Sequence, residues 1–316
     1  MFPHFAPENF LVSFREQNQD MGHDHSHNTS GKNLKLAFFL NLGFTILEFF
    51  GGWYVNSVAI MSDAVHDLGD SLSLGSAWYL DKKSKEESNS KYSFGYRRFS
   101  LLGALINSLV LIIGSIYVIS EAVGRLFEPE ASDATGMIIF ALIGVAVNGY
   151  AAYKLSGGKT LNEKVVSWHL LEDVLGWFAV LVVAVILSFK EILYLDPALS
   201  LLITLYILWN VFKRLKETLF IFLQGVPKEL NLEEIENNIL KVEKVASLHH
   251  THIWSLEGEN HVFTAHLKLR EISEFSEILE VKKQVKKILK DYAFEHYTIE
   301  TELDSETCEL EKAHKH

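Results

Sequence analysis

Six long apolar stretches, at about 34–55, 57–81, 99–126, 135–155, 161–189 and 194–222, constrain this chain more than anything else in it. Each is long enough to cross the ~30 Å hydrocarbon core of a bilayer as a helix rising about 1.5 Å per residue. By length and its 48% hydrophobic content the chain of 316 residues would also fit one large or two ordinary soluble domains, but the apolar residues crowd before residue 225. The flanking charges then set an orientation, because Lys and Arg in short loops stay on the cytoplasmic side. The second connection holds Lys82, Lys83, Lys85, Lys91, Arg97 and Arg98, and the fourth holds Lys154, Lys159 and Lys164. The other three hold only Arg125 and Lys190, so both termini are expected in the cytoplasm.

Two of the stretches repeat one pattern, His66-x-x-x-Asp70 and His169-x-x-x-Asp173. Four-residue spacing puts each imidazole and its carboxylate about one helical turn apart on one face. Ionisable groups at membrane depth are costly unless they face a protein interior or a wet cavity, so they point to function. Together the pairs offer two nitrogens and two carboxylates, a set that suits four-coordinate Zn2+. In the second stretch Asp63, His66, Asp67 and Asp70 fall along one stripe, and a satisfied packing network is the competing reading. Geometry alone would also allow Asp63 to pair with Asp67; the matching His169 and Asp173 single out His66 and Asp70. The second stretch runs inward and the fifth outward, which sets both pairs about half-way across the bilayer. Asn41, Asn107 and Asn148 are read as hydrogen-bonding neighbouring helices, and Glu48, Asp63 and Asp67 as further candidates for an aqueous route.

Gly51-Gly52 marks the first outer turn, Asp196-Pro197 opens the last stretch, and Gly225-Val226-Pro227 closes the membrane region. The divisions are a leader over 1–32, a six-helix transmembrane domain over 33–225 and a cytoplasmic domain over 226–316. In the last, Leu232, Ile235, Ile239 and Leu240 have helical spacing, and 245–255 and 260–270 alternate as strands about a turn at Glu257-Gly258-Glu259. A second amphipathic helix over 273–290 and a strand over 296–303 complete an α+β order αββαβ, three strands backed by two helices. His249, His250, His252, His261 and His266 crowd the first two strands, more histidine than surface chemistry requires, and are read as metal-binding. The leader carries His23, His25 and His27, either a loose metal holder or a polar tail.

Ser57 through His66 and Asp70, the loop Tyr92-Ser93-Phe94-Gly95, His169 through Asp173, and His252-Ile253-Trp254-Ser255-Leu256 together resemble the cation diffusion facilitator family of zinc/proton antiporters, over nearly all of the chain from Met21. The resemblance implies a tetrahedral transport site of His66, Asp70, His169 and Asp173, six membrane helices with a ferredoxin-like cytoplasmic domain, and a homodimer joined through that domain. Zinc is the expected cargo, because an all-carboxylate site would suit Mn2+ better. It also implies zinc as a regulatory ion at His249, His266 and Glu302, with His250 and His261 as weaker ligand candidates. A loop site known in some relatives falls here on Asn89, Tyr92 and Tyr96 and is expected to be absent. The connection Ser156-Gly157-Gly158-Lys159 is short and lacks His, as in bacterial members, which places the chain in the cell (inner) membrane if it is bacterial.

Net charge of −11 argues against nucleic acid as a partner, and the lone Cys308 rules out an intrachain disulfide. Residues 1–20 are neither basic nor continuously apolar, so no cleavable signal is expected, and Met21 is an alternative start. The reading is therefore a secondary transporter exporting divalent metal from the cytoplasm in exchange for protons, with no enzyme activity. An intramembrane metalloenzyme would need an open coordination position and a general base, and the His-Glu-x-x-His pattern is missing. A membrane metal sensor is the other alternative.

Overall fold

The computed structural model describes residues 27–83, 88–156, 161–292 and 294–308. His23 and His25 of the leader, Met21, and Gly157, Gly158 and Lys159 of the fourth connection lie outside the described residues. Among the described residues six long helices come first: α1 (His27–Tyr54), α2 (Val58–Lys83), α3 (Phe99–Phe127), α4 (Ala134–Ser156), α5 (Leu161–Phe189) and α6 (Leu195–Phe222). They match the six apolar stretches. Phe99–Phe127, Ala134–Tyr153, His169–Phe189 and Leu195–Phe222 are long and apolar enough by composition alone to cross a membrane. In α2 the acidic stripe lowers the average, as a helix with a functional face should.

The helices pack mainly as three pairs, α1 with α2, α4 with α5 and α3 with α6, while α2 also borders α3 and α6. In lipid the hydrophobic effect gives helices little reason to associate, so close van der Waals fit has to supply the adhesion. Between α4 and α5 the fit is a glycine against an indole: a Cβ at Gly144 would come within 2.2 Å of the Trp177 ring. The outward faces carry Leu109, Ile113, Ile116, Leu205 and Trp209, all exposed in the single chain, as a lipid-facing surface requires.

The first outer turn differs from expectation. Gly51 and Gly52 belong to the last turns of α1, and the chain reverses at Asn56, whose φ is 57°. The glycines are kept by packing, since a Cβ at Gly51 would lie 2.2 Å from Phe140. A left-handed asparagine can instead be held by its polar side chain. Arg125 donates to the Asn56 carbonyl and to its Oδ1, both at 2.7 Å, and Ser132 Oγ donates to the same carbonyl at 2.9 Å.

After α6 come α7 (Leu232–Leu240), β1 (Val245–Ser255), β2 (His261–Leu269), α8 (Phe275–Leu289) and β3 (Phe294–Glu302), the expected αββαβ order. The sheet runs β1-β2-β3, with β1 and β2 antiparallel and β2 and β3 parallel. Gly258, at φ 120°, makes the hairpin turn a conformation that an L side chain would strain. One face packs Phe263, Leu267 and Leu269 against Ile235 and Ile239 of α7 and Val281, Val285 and Leu289 of α8. That registry leaves His249 opposite His266 on the other face. Phe263 is wholly buried, so Phe263→Ala should cost the cytoplasmic domain about 3–5 kcal/mol. Chemical denaturation of the purified protein followed by circular dichroism would show it as an early unfolding step absent from the parent.

Candidate metal centres in the membrane and in the cytoplasmic domain

Among the described residues α2 and α5 bring three of the four predicted ligands into mutual contact and leave the fourth at the margin. His169 Nε2 lies 2.8 Å from Asp70 Oδ2, and His66 Nε2 lies 3.7 Å from that oxygen and 3.7 Å from Asp173 Oδ1. Ligand atoms of His66, Asp70 and His169 all fall within 4.8 Å of one another. A cation held tetrahedrally at about 2.0–2.1 Å requires ligand atoms about 3.3–3.4 Å apart, so the observed separations straddle that value. The two imidazoles meet edge to face, with centroids 5.8 Å apart.

All four side chains line one cavity of about 440 Å3. Its walls are α2 and α5 on one side and α3 and α6 on the other, and Asn107, Asn210 and Arg214 line it toward the ends of α3 and α6 nearest the cytoplasmic domain. Asp63 and Glu172 also face it. Asp67 and Glu48 are buried and absent from its lining; they lie at the back of the site, where α1 packs on α2. Asn41 of α1 donates to the Asp67 carbonyl and to Ser71 Oγ, both at 3.0 Å, and Asn107 donates to Ser73 Oγ at 2.8 Å, so both asparagines bond across helices. The wholly buried Glu48 carboxyl stands against that of Asp67.

In the cytoplasmic domain the register of β1, β2 and β3 gathers a second group. His266 Nδ1 lies 2.9 Å and His249 Nε2 3.3 Å from Glu302 Oε1. Burial by itself would raise the Glu302 carboxyl; the His266 bond and the nearby His249 outweigh it and hold the group below the usual carboxylate range. Sequence reasoning missed the fourth member. Cys308 Sγ lies 3.7 Å from His266 Nδ1, and ligand atoms of His249, His266, Glu302 and Cys308 all fall within 4.8 Å. The signal that could have found it is a lone cysteine just beyond Glu302, a ligand type that zinc favours.

The remaining histidines are sorted by the same register. His250 sits at an irregularity of β1 with φ 50°, its ring 5.3 Å from that of His249 and 5.1 Å from that of His266, beside the group but outside it. His261 lies at the far end of β2, buried, with Nε2 3.1 Å from Glu229 Oε1. In the loop before α3, Asn89 Oδ1 accepts from the Lys91 and Tyr92 amides, and Asn89 Nδ2 donates to the Tyr96 hydroxyl at 3.0 Å.

Burial depresses the His261 imidazole below its ordinary range, with Glu229 opposing in part. The fold therefore favours neutral His261. That contribution is present above the unfolded value of about 6.5 and is lost as pH falls through the lower folded value. His261→Gln should flatten the decline of the domain's unfolding midpoint between neutral and mildly acidic pH, which thermal melts across that range would reveal.

Residues 34–223 match the family of the cation efflux transmembrane domain, and residues 227–303 match that of the cation efflux protein, cytoplasmic domain. The chain is similar to a cadmium, cobalt and zinc/H(+)-K(+) antiporter of Bacillus velezensis, 32% identical over 89% of this chain and 92% of that protein. It is 35% identical to the metal cation efflux system protein CzcD of Cupriavidus metallidurans, over 94% of each. With the zinc transporter ZitB of Escherichia coli it shares 29% identity over 89% of this chain and 93% of the other.

Proposed function

The chain belongs to the cation efflux family, multi-pass membrane transporters with a cytoplasmic C-terminal domain, and from that premise we propose that it exports Zn2+ in exchange for protons through His66, Asp70, His169 and Asp173. It is a transporter and not an enzyme. The observation that carries the reading is the meeting of two identically spaced His/Asp pairs, at 2.8–3.7 Å, on the wall of one cavity. Relatives named for zinc, cadmium and cobalt favour the same cargo class. Two nitrogens and two oxygens favour zinc over harder ions.

The exchange follows from shared atoms. His169 and Asp70, 2.8 Å apart, hold a proton between them as a hydrogen bond. Zinc needs the same imidazole nitrogen neutral and the same carboxylate ionised, so its arrival expels the proton and its departure lets a proton return. With the cavity open toward the cytoplasmic ends of α3 and α6, metal is loaded from the cytoplasm in this arrangement. A site that then faces outward, releases metal and returns protonated converts an inward proton gradient into outward metal flux.

The cytoplasmic group of His249, His266, Glu302 and Cys308 supports a second, regulatory zinc site, and the matched family of that domain supports assembly as a homodimer through it. A leader over 1–32, a transport unit over 33–225 and a regulatory unit over 226–316, with both termini cytoplasmic, is the organisation that the loop charges favour.

Asp70→Ala or Asp173→Ala should lower zinc flux in proteoliposomes by roughly 100-fold or more, beyond the cost of losing an outer-shell partner, while the variant elutes as the parent does. Near-parental flux from either would remove the site. Cys308→Ser should weaken zinc binding by the cytoplasmic domain of the full chain by at least the roughly 10–100-fold typical of a lost supporting contact. Calorimetry on the Asp70→Ala background, where the membrane site is disabled, isolates that effect; unchanged affinity would leave the thiol a bystander.

A further inference from the structure

The cavity beside the proposed transport site parts two walls, and its outer limit is sharply placed. Followed away from the cytoplasm it reaches Asp63 on α2 and Leu202 and Ile203 on α6. One position beyond Asp63 on α2, and beside Ile203 on α6, the seam is shut: Ser62 Oγ and Thr204 Oγ1 are hydrogen-bonded at 2.7 Å. Further out Ser200 Oγ donates to the Val58 carbonyl at 3.2 Å. At the end Asp196 accepts from Ser57 Oγ at 2.6 Å, from the Val58 amide at 2.7 Å and from the Ala59 amide at 3.3 Å. Asp196, Ser200 and Thr204 recur every fourth residue, so they form one stripe of α6, and each is at most 1% exposed.

Hydrogen bonds of Ser, Thr and Asp can hold membrane helices together where apolar burial supplies little adhesion. A polar seam differs when it opens. Water can replace each of its bonds, so little is lost on separation. A leucine seam would have to expose apolar surface. The orphan amides at the start of α2 need an acceptor in either condition, and Asp196 serves while the seam is shut. The seam open at its cytoplasmic end is the same α2/α6 seam that these bonds close at its outer end.

We infer that Asp196, Ser200 and Thr204, with Ser57, Val58 and Ser62, form an outer latch that parts to release metal to the far side and re-forms to return the site to the cytoplasm. The latch rests on the transport reading above. Asp196 acts through α2 as a positioning residue and does not touch the cargo.

The test is a reversible cross-link. Ser62→Cys with Thr204→Cys in the full-length protein, oxidised to completion, should carry zinc at least about tenfold more slowly than when reduced, as expected where gating sets the rate; reductant should restore flux, and either single cysteine should ignore the oxidant. A second measurement serves if the pair folds poorly. Ser57→Cys should react with a membrane-impermeant maleimide from the outside at least about fivefold faster during zinc turnover than without zinc, as opening of the seam requires. Flux indifferent to a complete cross-link, or labelling indifferent to turnover, overturns the latch and leaves the transport reading standing. An unsubstituted chain that moves no zinc overturns the transport reading itself.

Discussion

A carboxylate taken out of water must be given a partner, and the membrane half of this molecule is arranged by where its carboxylates find theirs. Asp196 takes the free amides and Ser57 hydroxyl at the start of α2. Asp70, two turns beyond the middle of that same helix's outer half, takes His169 of α5. Asp173 stands 3.7 Å from His66. In each case α2 supplies one side of the bond. For the fully buried Asp196, removing the groups that bond it would cost about 3–5 kcal/mol, because the charge that remains is stranded; the tetrad pairs, which line the cavity, are worth less. A few such bonds therefore fix the depth of α2, and with it the depth of the site, more firmly than the soft apolar contacts around it.

The tetrad also joins helices that otherwise scarcely meet. α2 is packed on α1, α3 and α6, and α5 on α4, while direct contact between α2 and α5 is sparse. A divalent cation among the four side chains would balance two carboxylates and tie the two helices at one point. A proton between Asp70 and His169 joins the helices through that one pair and leaves His66 and Asp173 out of the link. The two conditions therefore differ in what crosses the seam, which is the differential interaction that any shift between inward and outward arrangements requires. Arg214 in the cavity wall adds a fixed positive charge along the route. Its guanidinium has no lone pair to offer a metal, so it acts on the site only through its charge.

How much of this could be read from residues alone depended on the range of the interaction. Six apolar stretches and the αββαβ order are periodicities, local by nature, and the structure reproduces both. His66, Asp70, His169 and Asp173 were legible because the same spacing occurs twice, so two local patterns stood in for one distant contact. Asp196 was not. Its bonds reach across 137–139 positions of sequence to two backbone amides and a serine hydroxyl, and an Asp before a Pro reads equally well as an ordinary helix start. His261 was grouped with the other histidines by proximity in sequence, whereas strand register sends it to the opposite end of β2 and to Glu229. Cys308 lies after the last strand, where no period announces that the chain turns back to His266. The first outer turn failed for a related reason: two glycines advertise a turn, but here they admit the Phe140 ring and the Met61 segment, and Asn56 turns the chain.

The link between the two halves of the molecule limits what metal in the cytoplasmic domain can do to transport. β3 carries Glu302 at one end and Glu295 at the other, about 23 Å apart along an extended strand. Glu295 pairs with Arg97 at 2.5 Å, the His296 ring meets Phe94 at 5.8 Å, and Arg98 reaches the Ser255 carbonyl at 3.5 Å, all just before α3. Arg97 and Glu295 are each about a third exposed, and an ion pair in such a setting contributes only about 0–1 kcal/mol. The ring contact and a long hydrogen bond add little more. A connection of that strength transmits about 1–2 kcal/mol, which corresponds to roughly a 5–30-fold change in an equilibrium. Zinc held by His249, His266, Glu302 and Cys308 would thus bias the equilibrium at the cytoplasmic end of α3 only modestly, whereas the buried bonds of Asp196 hold α6 to the start of α2 directly.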